Sequence, residues 1–229
     1  MLMGEQFSYR YDIINHLIKL RGYKRYLEVG VNDGSCFEKI ECNHKDAVDP
    51  GAEGGESELI NYPITSDEFF HNVAPYTLPY DIIFVDGLHT KEQVDKDIRN
   101  SLKNLNFNGA LVLHDTHPWH EHETRPYEQF LAEGRDNSER GWWVGTTWQS
   151  VVRLRSENPF VKVRTVMIRE HVDDADVSIL EPTCERQPLL EKHKEMYNYS
   201  YFAENKQNLL NLISTKDFFS LYGKWGELF

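Results

Sequence analysis

Two apolar runs in this chain end in residues that can hold an ion or move a proton. Tyr80-Asp81-Ile82-Ile83-Phe84-Val85 runs into Asp86, and Gly109-Ala110-Leu111-Val112-Leu113 runs into His114-Asp115. Runs of this length between turn signals read as buried strands. Neighbouring strands of a parallel sheet would bring the terminal carboxylates of Asp86 and Asp115 together. Like charges at short range raise one pKa unless a cation separates them. A divalent cation such as Mg²⁺, which takes carboxylate and water ligands, would be such a charge, and it would lower the pKa of a hydroxyl held beside it. His89 follows Asp86 by one short turn. It titrates near neutrality and could accept that hydroxyl's proton, or it could simply cap the helix that begins beside it at Thr90. Asp86, His89 and Asp115 form the candidate catalytic set.

A second group of residues has the spacing of a ligand cradle. Glu28-Val29-Gly30-Val31-Asn32-Asp33-Gly34-Ser35 follows a short apolar run. Gly30 and Gly34 allow a tight strand-to-helix turn and a close approach by a ligand. A dinucleotide fingerprint would need glycines where Asn32 and Ser35 stand. Glu28 is also unwelcome to a pyrophosphate but favourable to a ligand carrying a sulfonium and an ammonium group. Asp49, at the end of the next strand, can accept ribose hydroxyls. Thr65-Ser66-Asp67 lies after a third short run, where Ser66 or Asp67 could meet an adenine edge; Asp67 is equally an ordinary first-turn helix acid. The candidate cofactor contacts are Glu28, Gly30, Asn32, Gly34, Ser35, Asp49, Ser66, Asp67 and Asp86, and the ligand they suit is a nucleoside carrying a sulfonium and an ammonium group.

The elements that must position these residues alternate strand and helix, which implies a doubly wound α/β fold with a mostly parallel sheet. The pattern predicts an amphipathic helix over 6–20, strands over 25–30 and 45–49, and a short third strand at 62–64. Ser66 is the expected cap of a helix over 67–73. Strands follow over 80–86 and 109–115, separated by a helix over 90–105 capped by Thr90. A flexible loop is expected over 51–56. Residues 147–155 read as helix, 160–168 and 176–180 as strands, and the tail 189–222 as helices. One domain is expected, with an N-terminal helix in 1–23, a Rossmann-like core over 24–182 and C-terminal helices over 183–229.

Pattern is lost between 116 and 145, a stretch rich in His, Trp, Glu and Arg. His114, His117, His120 and His122 with Glu121 and Glu123 could suggest zinc, but no pair has good helical ligand spacing and Pro118 interrupts the run. A solvated loop accounts for them more simply. The stretch also carries Trp119, with Trp142, Trp143 and Trp148 downstream. Aromatic residues over strand ends suit a lid that stacks on a sugar or ring, or they pack in the core.

The formal net charge of −12 disfavours a nucleic-acid partner. No apolar run reaches the length of a membrane span. Three unpaired-looking cysteines, Cys36, Cys42 and Cys184, suit a reducing, cytoplasmic compartment. The aromatic residues Tyr197, Tyr199, Tyr201 and Phe202 could cap the sheet or pack against a second copy in a homo-oligomer.

From residue 24 to about 168 the sequence resembles class I S-adenosylmethionine-dependent methyltransferases. The resemblance is carried by Tyr26-Leu27-Glu28-Val29-Gly30, Val48-Asp49-Pro50, Val85-Asp86-Gly87-Leu88-His89 and Gly109 to Thr116. Within that class it is closest in pattern to small-molecule O-methyltransferases related to macrolide-sugar and catechol methylators. The resemblance implies a seven-stranded sheet whose last strand is antiparallel, a base at His89 and a metal-bound acid at Asp86. It also implies two adjacent metal-binding acids after the fifth strand. Here the first of those positions is His114 and the second is Asp115, and Thr116 stands where catechol-type relatives carry an amide. The expected function is O-methylation of a small-molecule or sugar hydroxyl, assisted by Mg²⁺ or another divalent cation held by Asp86, Asp115 and His114. The competing readings are a nucleotide-dependent Rossmann oxidoreductase or sugar-modifying enzyme, and a non-catalytic cofactor-binding module.

Overall fold

Alternation along the first strand, β1 (Arg25–Val29), sets up both faces of the molecule. Successive side chains of a strand point to opposite sides. Leu27 and Val29 enter one apolar layer and Tyr26 the other. The computed structural model describes residues 8–51, 58–133 and 142–223. Around β1 stand β2 (His44–Val48), β3 (Tyr80–Val85), β4 (Leu105–Leu113), β5 (Val161–Met167), β6 (Val177–Pro182) and β7 (Leu212–Ser214). They form one sheet in the order β2-β1-β3-β4-β6-β5-β7. The first four strands in that order are mutually parallel. β6 runs antiparallel to both β4 and β5, and β7 pairs parallel to β5.

Helices cover both faces. α1 (Arg10–Arg21), α2 (Ser35–Lys39) and α8 (Thr215–Leu221) bury Ile13, Ile14, Leu17, Phe37 and Phe218 on one side. α3 (Ser66–Asn72), α4 (Lys91–Asn104), α6 (Thr147–Glu157) and α7 (Tyr199–Leu210) bury Phe69, Ile98, Trp148, Val151 and Phe202 on the other. A short α5 (Tyr127–Ala132) lies in the 116–145 stretch. Burial of each such side chain contributes about 1.5–3 kcal/mol, so the strand tips stand on a rigid base.

Several expected boundaries shift, each for a local reason. α1 starts at Arg10, where Asp12 accepts from the amide of Tyr9 at 2.9 Å; residues 6 and 7 lie outside the described residues. The third strand expected at 62–64 does not form. Tyr62 makes a single bridge to Val48, and Pro63 has no amide to continue the ladder. Among the described residues the sheet still has seven strands because the tail supplies one. Asn211, left-handed at φ 52°, ends α7, and Leu212 to Ser214 then pair with the edge of β5, so the tail is not wholly helical.

The cap of α3 is Thr65 rather than Ser66. Its Oγ1 accepts from the Glu68 amide at 3.2 Å while Glu68 accepts from the Thr65 amide at 3.0 Å, a reciprocal capping box. Thr90 stands at the start of α4, but the hydroxyl that accepts from Lys91 N is that of Thr146, at 2.7 Å. β4 begins at Leu105, earlier than its glycine suggested.

The aromatic tail folds onto its own chain. Phe202 packs at a tilt against Trp148 with ring centres 4.3 Å apart, and Tyr199 donates to the carbonyl of Trp119 at 2.9 Å. Among the described residues no helix is long and apolar enough to cross a membrane. The loop expected at 51–56 lies almost wholly outside the described residues, as do residues 134–141 of the expected lid.

Candidate active site

A cavity of about 770 Å³ opens at the carboxyl ends of β1, β2, β3 and β4. Every candidate site residue lines it except Gly34. Gly34 instead takes φ 83° at the start of α2, a turn position rather than a contact.

The floor is backbone folded tightly on backbone. Gly30 has φ 85°, and a Cβ there would lie 2.2 Å from the carbonyl oxygen of Asp86. The turn after β1 therefore rests directly on the tip of β3, and only glycine permits it. Asn32 also takes a left-handed conformation, φ 49°. Asp49 braces this turn from β2. One carboxylate oxygen accepts from the amides of Val31 and Asn32 at 2.8 and 2.9 Å, and the other from Gly51 at 2.7 Å. Asp49 is thus a structural brace as well as a cavity acid, a role the strand-end pattern did not reveal.

Glu28 is buried at 1% exposure and accepts from the Tyr26 hydroxyl. Burial pushes its carboxyl up to about 8, and nearby Asp86 adds to the rise. At the far end of the cavity, Gln93 of α4 donates to Ser66 at 3.1 Å, Asp67 at 3.1 Å and Asp97 at 3.2 Å. Lys96 pairs with Asp67 at 2.8 Å and holds its carboxyl below the usual range. Burial raises Asp97 to about 6. Gln93 and Asp97 were not singled out from sequence, though both lie on the cavity side of the predicted helix.

The reaction end is a cluster of side chains. His114 Nδ1 lies 2.9 Å from Asp86 and 3.1 Å from Asp115. His89 places Nε2 3.3 Å from Asp86 and Nδ1 3.3 Å from Asp115. Burial opposes the charged form of both rings, but the carboxylates outweigh it. They raise His89 to about 9, and Asp86 and Asp115 hold His114 well above its ordinary value. Asp115 is held in a left-handed conformation, φ 52°, a strained state for a residue with a side chain.

Arg10 and Asp174 complete this cluster and were missed in the sequence. Arg10 Nη1 pairs with Asp174 at 2.5 Å, and its Nε lies 4.0 Å from Asp86. Asp174 reaches His114 Nε2 at 3.0 Å. Two acids just before β6, Asp174 and Asp176, were the available signal. One ligand atom from each of Asp86, His114 and Asp115 lies within 4.8 Å of the others. Two carboxylates and an imidazole are a chemically competent donor set for a divalent ion.

One wall is aromatic. Trp143 stacks on Phe130 at 4.4 Å, on the His89 ring at 5.3 Å and near Tyr127 at 5.3 Å. Gly145, φ 61°, is seated where a Cβ would fall 2.1 Å from the His89 carbonyl oxygen, and Thr146 N donates to that oxygen at 2.8 Å. The aromatic segment is therefore docked onto residue 89. It is anchored from below by Glu123 gripping Arg169 at 2.9 and 2.8 Å. The remaining histidines do other work. His117 pairs with Asp176 at 2.6 Å, and His120 stacks on His122. Among the described residues they do not join a zinc-type ligand cluster.

Residues 41–116, which include the tips bearing Asp49, Asp86 and Asp115, match a family model described as a methyltransferase domain. A provisionally assigned O-methyltransferase from Klebsiella pneumoniae is similar in fold at 11% identity, covering 80% of this chain and 84% of its own, with a TM-score of 0.50. The O-methyltransferase of Bacillus cereus, solved with S-adenosylhomocysteine, aligns at 12% identity over 79% and 84% of the two chains, TM-score 0.49. The TomG O-methyltransferase of Streptomyces achromogenes, solved with S-adenosylmethionine, aligns at 16% identity over 75% and 78%, TM-score 0.46. No curated protein matches the sequence. Residues 41–116 thus carry the match to a methyltransferase domain, and the chain shares the fold of the Klebsiella structure.

Proposed function

We propose that this protein transfers a methyl group from S-adenosylmethionine to a hydroxyl of a small molecule or sugar. The observation that carries the reading is the position of His89, with Asp86 and Asp115, at the end of the same cavity that Glu28 and Asp49 line. In that transfer the methyl carbon leaves sulfur as a bond to the acceptor oxygen forms, and the hydroxyl proton must go to a base. Alignment of the oxygen behind the methyl group is the largest task.

Each residue has a part in this reading. Glu28 offers its carboxyl to the cationic methionine end of the cofactor. Three of the roughly four acceptor positions of Asp49 are used by backbone amides, so about one is left for a ribose hydroxyl. Ser66, Asp67 and Gln93 flank the adenine. His89, raised to about 9, takes the acceptor's proton in its neutral form, so transfer should quicken as pH rises toward that value; the stack on Trp143 and the seat of Gly145 fix its ring. A divalent ion held by Asp86, His114 and Asp115 would supply Lewis acidity toward the acceptor hydroxyl.

The charge of the cavity narrows the acceptor. Among the described lining residues, the carboxyl groups of Glu28, Asp33, Asp49, Asp67, Asp86, Asp97 and Asp115 outnumber the cationic groups, Arg10 and the raised His89 and His114, and these three are already paired with carboxylates. A neutral or cationic ring compound suits this lining, and a phosphorylated acceptor, a nucleic acid or a membrane surface does not. The aromatic wall provides a stacking face for the ring.

The test is transfer of label from methyl-labelled S-adenosylmethionine to a panel of neutral, cationic and phosphorylated hydroxyl compounds. The reading predicts labelled ether product from the first two groups. Absence of transfer across the panel, or transfer confined to the phosphorylated members, would contradict it.

A further inference from the structure

The cluster at the reaction end departs from an all-oxygen cation site, and Asp174 is the reason. His114 is 7% exposed and Asp174 4%. Asp174 Oδ1 is fixed by Arg10 Nη1 at 2.5 Å and by the amide of Ala175 at 3.0 Å, and Oδ2 by the amide of Arg10 at 2.9 Å. Asp174, so immobilised at 3.0 Å from His114 Nε2, is nearer that nitrogen than the Arg10 Nη1 donor at 3.5 Å and favours a proton on it. The other nitrogen, Nδ1, is directed at Asp86 and Asp115; without an ion it too holds a proton between them, which a bound cation would displace. The edge of Phe84 packs against the ring, which limits its rotation. A carboxylate behind a ligating histidine, with the tautomer set by it, is the usual outer support of a metal-bound imidazole.

We propose that Asp174 is a positioning residue that makes His114 Nδ1 a metal ligand. With Asp86 and Asp115 it would form a mixed nitrogen–oxygen centre that takes Mn²⁺ or a similar first-row transition ion ahead of Mg²⁺. Mg²⁺ prefers an all-oxygen octahedron, whereas imidazole suits transition ions and strengthens their binding. The left-handed strain of Asp115 turns its carboxylate back beside Nδ1, so that both adjacent residues of the pair face one point. The inference deepens the proposed methyl transfer by naming the ion class at its site, and it rests on reading this cavity as the place of reaction.

The test is Mn²⁺ titration of the full-length protein by electron paramagnetic resonance, with Mg²⁺ as competitor and spin-echo detection of nitrogen coupling to the bound ion. One Mn²⁺ per chain is expected, with histidine nitrogen modulation and a dissociation constant lower than that of Mg²⁺ by on the order of tenfold or more. Asp174→Asn should weaken Mn²⁺ by roughly 10–100-fold, and His114→Glu should abolish the nitrogen signal and narrow the preference over Mg²⁺. If Asp174→Asn does not fold, the wild-type nitrogen signal and the His114→Glu comparison still decide the matter. No Mn²⁺ binding, binding without nitrogen modulation, or a Mg²⁺ affinity equal to that for Mn²⁺ would overturn the proposal. Binding of S-adenosylhomocysteine is measured separately in the presence of a chelator. Its failure beside intact Mn²⁺ binding would sink the methyl-transfer reading and leave the metal centre standing.

Discussion

The two ends of the cavity are built by different means. The cofactor end is made of backbone: a glycine turn pressed onto the β3 tip, braced by the carboxylate of Asp49. The reaction end is made of charged side chains contributed by α1, the β3 and β4 tips and the segment before β6, closed by an aromatic wall. Backbone sites tolerate little change because geometry itself is the binding group. Side-chain clusters can change chemistry one residue at a time while the fold stays intact. An imidazole at position 114, where the resemblance implies an acid, is such a change.

That contrast predicts different consequences of mutation. The largest effect is expected at the reaction end. His89→Ala should lower single-turnover methyl transfer by roughly 10²–10⁴-fold, the range for a lost acid–base group, while the melting temperature stays within a few degrees. A rate unchanged within twofold would show that His89 is only packed there. Gly30→Ala is the counterpart at the cofactor end. Its Cβ would collide with the Asp86 carbonyl in a left-handed backbone, so denaturant titration should record a loss of about 3 kcal/mol, and cofactor binding should fall with it.

Asp49→Ala comes next. It strips the acceptor from three amides, and calorimetry should show S-adenosylhomocysteine binding weakened by roughly 10–100-fold, or about 1.4–2.7 kcal/mol. Were Asp49 only a brace, stability would fall without a matching loss of affinity for ribose over deoxyribose analogues.

Glu28 gives a pH signature. Its folded-state carboxyl is raised to about 8 from an ordinary 4.5. Between those values the folded protein holds a proton that the unfolded chain releases, so stability falls as pH rises through this window and is level outside it. Chemical denaturation at pH 6 and pH 8 should differ by about 1–2 kcal/mol on this account, and Glu28→Gln should remove that part of the slope. A cationic cofactor favours the ionised form, so its binding should release protons, visible as a buffer-dependent heat. The smallest effect is expected from Thr65→Ala, which removes the α3 capping box at about 1 kcal/mol in thermal stability.

The same contrast explains how much was legible in the sequence. The cofactor end follows from short local patterns. A glycine pair after an apolar strand and an acid at the next strand end identify positions that the parallel sheet must bring together, and Glu28, Gly30 and Asp49 do line one cavity. Asp86, His89 and Asp115 were legible for the same reason. Arg10 and Asp174 were not, because their meeting depends on how α1 and the segment before β6 dock, and no periodicity encodes that contact. The third strand failed at Pro63, where a short apolar run outweighed the missing amide in the reading. The seventh strand was hidden in a helical-looking tail whose break at Asn211 depends on a left-handed backbone. Ser66 reads as the cap of α3 in the sequence, but Thr65 holds that role: both are good caps, and only the Glu68 partner decides between them.

The central claim is that one cavity holds a cationic nucleoside with its sulfur directed at the Asp86–His89–Asp115 cluster. A crystal structure with S-adenosylhomocysteine tests it most directly. The ribose is predicted beside Asp49, the adenine against Ser66 and Gln93, and the sulfur at the end occupied by His89. Density for the ligand outside this cavity, or a bound dinucleotide in it under competition from the methyl-donor product, would contradict the account.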